Sequence, residues 1–303
     1  MPPTADAAAA RHPLRSALLA DAREFLAARL DRLEWSDAQR VGRALGHLAW
    51  RLAGRDRRHA LEHLALALPE RSARQRQAIG RASFAHLGAM LGECLWLGGR
   101  GTVEIGRHLT IDGWQEVERA RAARQPILVL TGHCGNWELL AAGLNARGLG
   151  MAVVARELDD PGQQEALLDF RARFGTRTIV RGSPGAARDL LRTLRTGGAL
   201  GMLIDQDTRV EGVWVDFFGR PAWTPSGAAD IALRFDAAVL PTFVARLADG
   251  SHRARIQPAL ELPRDARAAT QAMSARIEAQ IRRVPEQWVW LHRRWRTQPS
   301  VSS

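Results

Sequence analysis

Apolar positions along the chain keep two different periods, and the change from one to the other divides it. Over residues 14–33, Leu14, Leu18, Ala22, Phe25, Leu26, Leu30 and Leu33 recur three or four positions apart. Arg15, Asp21, Arg23, Arg29 and Arg32 lie between them, which predicts an amphipathic helix. A second helix is predicted from Ser36 through Val41, Leu45, Leu48, Ala49 and Leu52 to Gly54. It carries Arg40, Arg43 and Arg51 outward and is followed by the basic cluster Arg55, Arg57, Arg58. Two readings of this pair stay open: the stripes pack on a core, or they lie with their arginines in an anionic membrane interface. Residues 1–12 show no such period and read as disordered. Residues 59–98 read as two helical segments broken at Pro69, the second with Phe84, Leu87, Met90, Leu91, Leu95 and Trp96 on one face.

Further on, short apolar runs alternate with helical periods. Strands are expected at residues 102–111, 127–130, 151–155, 177–180, 199–204, 213–218 and 239–246, with an edge strand at 253–260. Helices are expected at residues 114–124, 163–174, 186–196, 227–235 and 266–283. Such alternation implies an α/β fold of one domain, with a mostly parallel central sheet flanked by helices and right-handed crossovers. That domain is expected over residues 59–299, behind an N-terminal amphipathic, membrane-proximal helical region at 13–58. No internal repeat is visible.

One junction carries candidate chemistry. Residues 127–130 form a buried strand, and Trp137, Leu139, Leu140 and Leu144 suit a helix packed on it. Between them lies His133, flanked by Gly132 and Gly135, with Glu138 five positions on. On one continuous helix the two side chains would diverge by about 140°, since successive residues turn about 100°. With His133 in the loop, Asn136 as N-cap and Glu138 in the first turn, they can converge as a His–Glu dyad at a strand's carboxyl end.

Composition changes the picture in two respects. The net charge is +11 over 303 residues, and with no lysine in the chain all 43 basic residues are arginine. The excess points to anionic partners: a phospholipid surface, an acidic carrier protein, a phosphorylated substrate or nucleic acid. The two cysteines, Cys94 and Cys134, build no disulfide framework and no zinc spacing. No apolar run reaches the ~18 residues that a membrane span needs.

The segments GHCGNWE, RARFG, LIDQD, VDFFGRPAWTPSG and PEQWVWLHRRW, in this order, resemble the lipid A biosynthesis lauroyl/myristoyl acyltransferase family of Gram-negative bacteria, over roughly residues 40–299. The resemblance implies transfer of a fatty acyl chain from acyl carrier protein to a hydroxyl of a membrane glycolipid, most directly a lipid A precursor. The site would be the cytoplasmic face of the inner membrane. It implies that His133 and Glu138 are the catalytic pair, that Arg171 is the first arginine of an R-x-R motif, and that Asp205 ends the strand before an acidic turn. Relatives usually carry an N-terminal transmembrane helix; the amphipathic stretch here implies peripheral attachment.

The residues read in the same direction. His133 would be general base toward the acceptor hydroxyl, with Glu138 orienting its ring and Arg171 supplying a fixed charge to the oxyanion. Asp205 would orient an arginine or bind acceptor. Candidate substrate contacts are Asn136, Arg173, Asp207, Arg293 and Arg294. Asp205 and Asp207 could hold a divalent ion, but transfer from a thioester to an alcohol requires neither metal nor cofactor, and none is assigned. Cys134 adjoins His133 and is read as a passive thiol rather than an acyl carrier. The closing stretch Trp288, Trp290, His292, Arg293, Arg294, Trp295, Arg296 interleaves aromatics with cations. That pattern suits phosphorylated headgroups, single-stranded nucleic acid or a core with a solvated face. The rival readings are acylation of another glycolipid or an aminolipid, a thioesterase, with water in place of the acceptor, and a nucleic-acid-binding protein; no nucleic-acid partner is expected.

Overall fold

The computed structural model describes residue 29 and residues 32–299. The segment 1–12, read from the sequence as disordered, and nearly all of the first predicted helix lie outside the described residues. The rest opens with α1 (Trp35–Leu52), α2 (Gly54–Ala67) and α3 (Ala73–Gly98). The break at Pro69 is real: α3 restarts on a capping box, in which Ser72 accepts the Gln75 N–H and Gln75 reaches back to the Ser72 N–H.

α1 packs on α3 through its small residues rather than its leucines. Ala38, Gly42, Gly46 and Trp50 are buried, whereas Leu45, Leu48 and Leu52 are 39%, 48% and 75% exposed. A Cβ on Gly42 would stand 2.3 Å from the Gly88 carbonyl oxygen, and one on Gly88 would stand 2.1 Å from that of Gly42. The two backbones therefore touch, and no leucine fits between them. The helix packs on the core, though not through the leucine stripe that predicted it.

Beyond α3 come α4 (Val103–His108), β1 (Leu109–Asp112), α5 (Gln115–Ala122), β2 (Ile127–Thr131), α6 (Trp137–Ala146), β3 (Met151–Ala155), α7 (Pro161–Arg173), β4 (Arg177–Val180), α8 (Ala186–Arg195) and β5 (Ala199–Leu203). The chain then forms β6 (Gly212–Asp216), β7 (Pro221–Pro225), α9 (Gly227–Phe235), β8 (Ala238–Arg246), β9 (His252–Ile256) and α10 (Ala266–Arg283). Seven strands make one sheet in the order β1-β9-β8-β2-β5-β3-β4, parallel throughout except between β8 and β9. β2 lies at its centre with all five residues buried. Leu128 and Leu130 face one core, with Phe243, Met273, Ile277 and Trp288; Ile127 and Val129 face the other, with Leu139, Leu140 and Leu144.

Three expectations need correction. Most of residues 102–111 is the short helix α4; the alternation of Val103 and Ile105 imitated a strand, yet Val103 is 72% exposed and a Glu104–Arg107 pair at 2.6 Å supports the turn. The strand expected at 253–260 is the shorter β9, which is no edge, since β1 pairs with its outer side. Residues 213–218 belong to a separate antiparallel hairpin, β6–β7, whose second strand was hidden by prolines at both of its ends.

Candidate active site

Residues 132–136, between β2 and α6, are clamped from two sides. A Cβ on Gly135, at φ +64°, would lie 2.1 Å from the Val244 carbonyl oxygen of β8, so only glycine allows this approach. The Gly135 N–H donates to the Gln287 carbonyl at 2.8 Å, and Cys134 bridges to Trp288. Asn136 caps α6 as predicted, accepting the Leu139 N–H at 3.0 Å.

His133 stands at the head of this loop, its side chain 21% exposed. Its ring partner is Asp205, just beyond β5 and next to β2 in the sheet. Nδ1 lies 2.8 Å from Asp205 Oδ1, and the His133 backbone N–H donates to Oδ2 at 2.8 Å. Trp288 adds a third donor, Nε1 to Oδ2 at 2.7 Å. Burial by itself would raise the Asp205 carboxyl, but the His133 charge and these three hydrogen bonds outweigh it and hold the group down at about 2. Asp205 is thus an acceptor-only carboxylate, which puts the imidazole proton on Nδ1 and leaves Nε2 as a lone-pair nitrogen. Among the described residues, no arginine is bonded to Asp205.

Glu138 is engaged elsewhere. Arg171, in the last turn of α7, clasps it through Nη2 to Oε1 at 2.6 Å and Nε to Oε2 at 2.9 Å, with both side chains nearly buried. The expected convergence of His133 and Glu138 therefore takes another form: Glu138 holds Arg171, and Asp205 rather than Glu138 orients the ring. Only Nη1 of Arg171 remains outside the clasp, 3.5 Å from Thr178 Oγ1.

His133, Trp137, Glu138 and Arg171 line one cavity of about 860 Å³. Much of its wall is apolar: Leu87, Met90, Leu91, Val129, Leu140, Met151, Val153 and Met202 run from α3 across the sheet, and Arg156, Arg181, Glu211 and Asp230 also line it. The Trp137 ring stands edge-on to His133 at 5.0 Å. The volume is of the size that holds a small ligand or chain.

The candidate substrate contacts separate. Arg173 and Arg293 are exposed, with no side-chain partner among the described residues. Asn136 is fully buried, with its amide nitrogen 2.7 Å from Glu93. Asp207 is also buried, its oxygens taken by the Thr297 N–H and hydroxyl and by Arg296. Arg294 is wholly buried, donating to the Trp223 carbonyl and the Thr224 hydroxyl over the Phe217 ring, and burial pushes its guanidinium down to about 10. These three hold the fold together and do not face a ligand. Trp288, Trp290 and Trp295 are buried as well, so the aromatic–cation stretch is core and offers no stacking platform. Cys134 is buried and its thiol is pushed well up by desolvation and by Asp205.

The sequence profile of the bacterial lipid A biosynthesis acyltransferase family matches residues 29–297. The chain belongs to this family. The acyltransferase is 27% identical over 267 residues to the lipid A biosynthesis palmitoleoyltransferase of Escherichia coli strain K12, covering 86% of this chain and 85% of that protein. It is 28% identical over 253 residues to the lipid A biosynthesis myristoyltransferase of the same strain, covering 82% and 77%. Phosphatidylinositol mannoside acyltransferase of Mycobacterium tuberculosis strain CDC 1551 / Oshkosh matches at 29% over 188 residues, 61% of this chain and 59% of that protein. Among the described residues of the acyltransferase, no helix is long and apolar enough to cross a membrane.

A group that sequence reasoning missed stands behind the loop. Glu93 of α3, fully buried, accepts from Gln39, Asn136 and Arg246 at 2.6, 2.7 and 2.7 Å, with His252 3.4 Å away. Burial would raise its carboxyl, but His252 and Arg246 overcome that and lower it. The one available signal was an acid amid the apolar face of α3. His292 was also passed over: its Nε2 accepts the Asp207 N–H at 3.1 Å, and burial lowers its imidazole to about 4.

Proposed function

We propose that the protein transfers a fatty acyl chain from an acyl carrier protein thioester to a hydroxyl of a membrane glycolipid, with a lipid A precursor as the leading acceptor. The observation that carries this reading is the His133–Asp205 pair, with His133 in the wall of a largely apolar cavity of about 860 Å³. Nε2 of His133 removes the acceptor proton as its oxygen attacks the thioester carbonyl. The tetrahedral intermediate then expels the thiolate, which takes the proton back from the imidazolium. Asp205 holds the tautomer and offsets the charge on the ring. Glu138 locks the Arg171 guanidinium in the cavity wall, and Nη1 of Arg171 is the donor left to face the oxyanion. No covalent acyl-enzyme enters, in keeping with a Cys134 thiol that is buried and protonated.

A lipid acceptor also explains the bare face of α1. Val41, Leu45, Leu48 and Leu52 form one exposed stripe, with Arg51, Arg55 and Arg58 close by. Leu91, 51% exposed, borders the cavity on the neighbouring helix. These groups suit a peripheral seat on an anionic leaflet, which we assign to the cytoplasmic face of the inner membrane. Steady-state transfer from acyl carrier protein to a lipid A precursor tests the chemistry. His133→Ala is expected to lose ~10²–10⁴-fold in kcat while melting like the wild type. A folded variant with more than a tenth of wild-type turnover would overturn it.

A further inference from the structure

The cavity that holds His133 contains three arginines, of which only Arg171 is neutralised by a buried carboxylate. The other two, Arg156 and Arg181, line its wall at the ends of neighbouring strands. β3 and β4 are parallel, with Ala155 opposite Val180, and the Arg181 N–H donates to the Ala155 carbonyl at 2.8 Å. Arg156 and Arg181 are thus the next residues of two strands roughly 4.8 Å apart, at the carboxyl end of the sheet. Two guanidinium groups set side by side repel one another. Burial lowers the Arg181 group, and the Arg156 charge lowers it further.

Nothing on the protein offsets this at Arg181, whose guanidinium has no acidic or hydrogen-bonding partner among the described residues. Arg156 has Asp159 at 2.7 Å, but the two side chains are 56% and 83% exposed, and a solvated pair of that kind yields readily to a ligand. The acids that line the cavity, Glu211 and Asp230, belong to other elements, and Asp230 is bonded to the Ser226 hydroxyl.

We propose that Arg156 and Arg181 form a phosphate subsite on the rim of the catalytic cavity. A carboxylate brings one charge, whereas a phosphate monoester brings about −1.5 to −2 and three acceptor oxygens, enough for two guanidinium forks. The subsite deepens the transfer reaction proposed above and rests on it for its purpose: it holds a phosphorylated substrate with its reacting atom near Nε2. Two substrates could present a phosphate there: a phosphorylated sugar headgroup on the acceptor, as a monoester, or the phosphopantetheine arm of the donor, a diester of single charge on its carrier.

Direct binding separates the sources without relying on turnover. The wild type, Arg156→Gln, Arg181→Gln and the double variant are titrated calorimetrically with phosphopantetheine against pantetheine, and with glucose 1-phosphate against glucose. The wild type is expected to bind the phosphorylated member of at least one pair about tenfold more tightly, and that pair identifies the source. Each single variant loses most of the preference and the double variant all of it, with melting temperatures unchanged because both side chains are exposed. Absence of a phosphate preference in both pairs, or a preference that survives the double substitution, would overturn the subsite. Loss of acyl transfer with phosphate binding intact would count against the reaction alone.

Discussion

Asp205→Asn exchanges one oxygen for an amide at the point where three donors converge. The carboxylate accepts the His133 N–H, the His133 Nδ1–H and the Trp288 Nε1–H. The asparagine oxygen serves one side only, so its NH₂ must face a donor or force the ring to present Nδ1 as acceptor. In the second case the proton moves to Nε2 and the general base is lost; the same exchange in a serine hydrolase triad costs roughly 10⁴-fold in kcat. Loss of the Asp205 charge also removes what offsets the imidazolium as it forms, and general-base assistance of this kind is worth ~10²–10⁴-fold. We therefore expect kcat to fall by between ~10² and ~10⁴, with KM for the thioester little changed. Glu138→Gln, which cannot alter the His133 tautomer directly, should lose less. Stopped-flow or discontinuous transfer assays at several pH values would measure both variants. If Asp205→Asn keeps more than a tenth of the activity while Glu138→Gln abolishes it, the ring is governed by Glu138 and the assignment fails.

Three further outcomes follow from other parts of the molecule. Buried neutral histidines make the fold acid-labile: His86 is lowered to about 3 and His292 to about 4, chiefly by desolvation, so their contribution is whole above pH 6.5 and is lost as pH falls toward those values. Together they are expected to cost up to about 4 kcal/mol by pH 5, and a melting temperature equal at pH 7 and pH 5 would refute this. Gly42→Ala forces α1 and α3 apart and should destabilise by roughly 1–3 kcal/mol, whereas Gly54→Ala, with nothing within 4 Å, should be neutral or slightly stabilising in the same melt. Replacing Leu45, Leu48 and Leu52 with serine should release the protein from anionic vesicles in co-sedimentation, while neutral vesicles bind the wild type poorly and salt strips it. Undiminished binding of the triple variant would place the membrane contact elsewhere.

Much of the fold could be read from periodicity because β2, β3 and β5 are continuous apolar runs and their helices keep clean spacing. β9 could not be placed by the same rule, since its buried His252, Ala254 and Ile256 alternate with exposed arginines like an edge. The histidine, its loop and the cap at Asn136 were legible because glycines and a cap residue act locally. The partner of the ring was not. Asp205 lies 72 residues from His133, and only the β2–β5 register brings the two together. Arg294 and Asp207 misled for a related reason: charged side chains near a site suggest ligands, yet these two are buried and committed to a backbone carbonyl and to Thr297. The leucines of α1 suggested a core face that glycine, with its closer approach, had already taken.

Trp288, which donates the third hydrogen bond to Asp205, follows it by 83 residues. A ribosome adding roughly 5–20 residues each second needs about 4–17 s to cover that distance. For that interval the nascent chain already holds His133 and Asp205 but not the segment in which Gln287 clamps Gly135 and Trp288 bonds Asp205. The pair is therefore completed late in the making of each molecule. A chain interrupted before residue 285 keeps the sequence of the whole sheet, His133 and Asp205 included, but lacks the segment that locks the two in place.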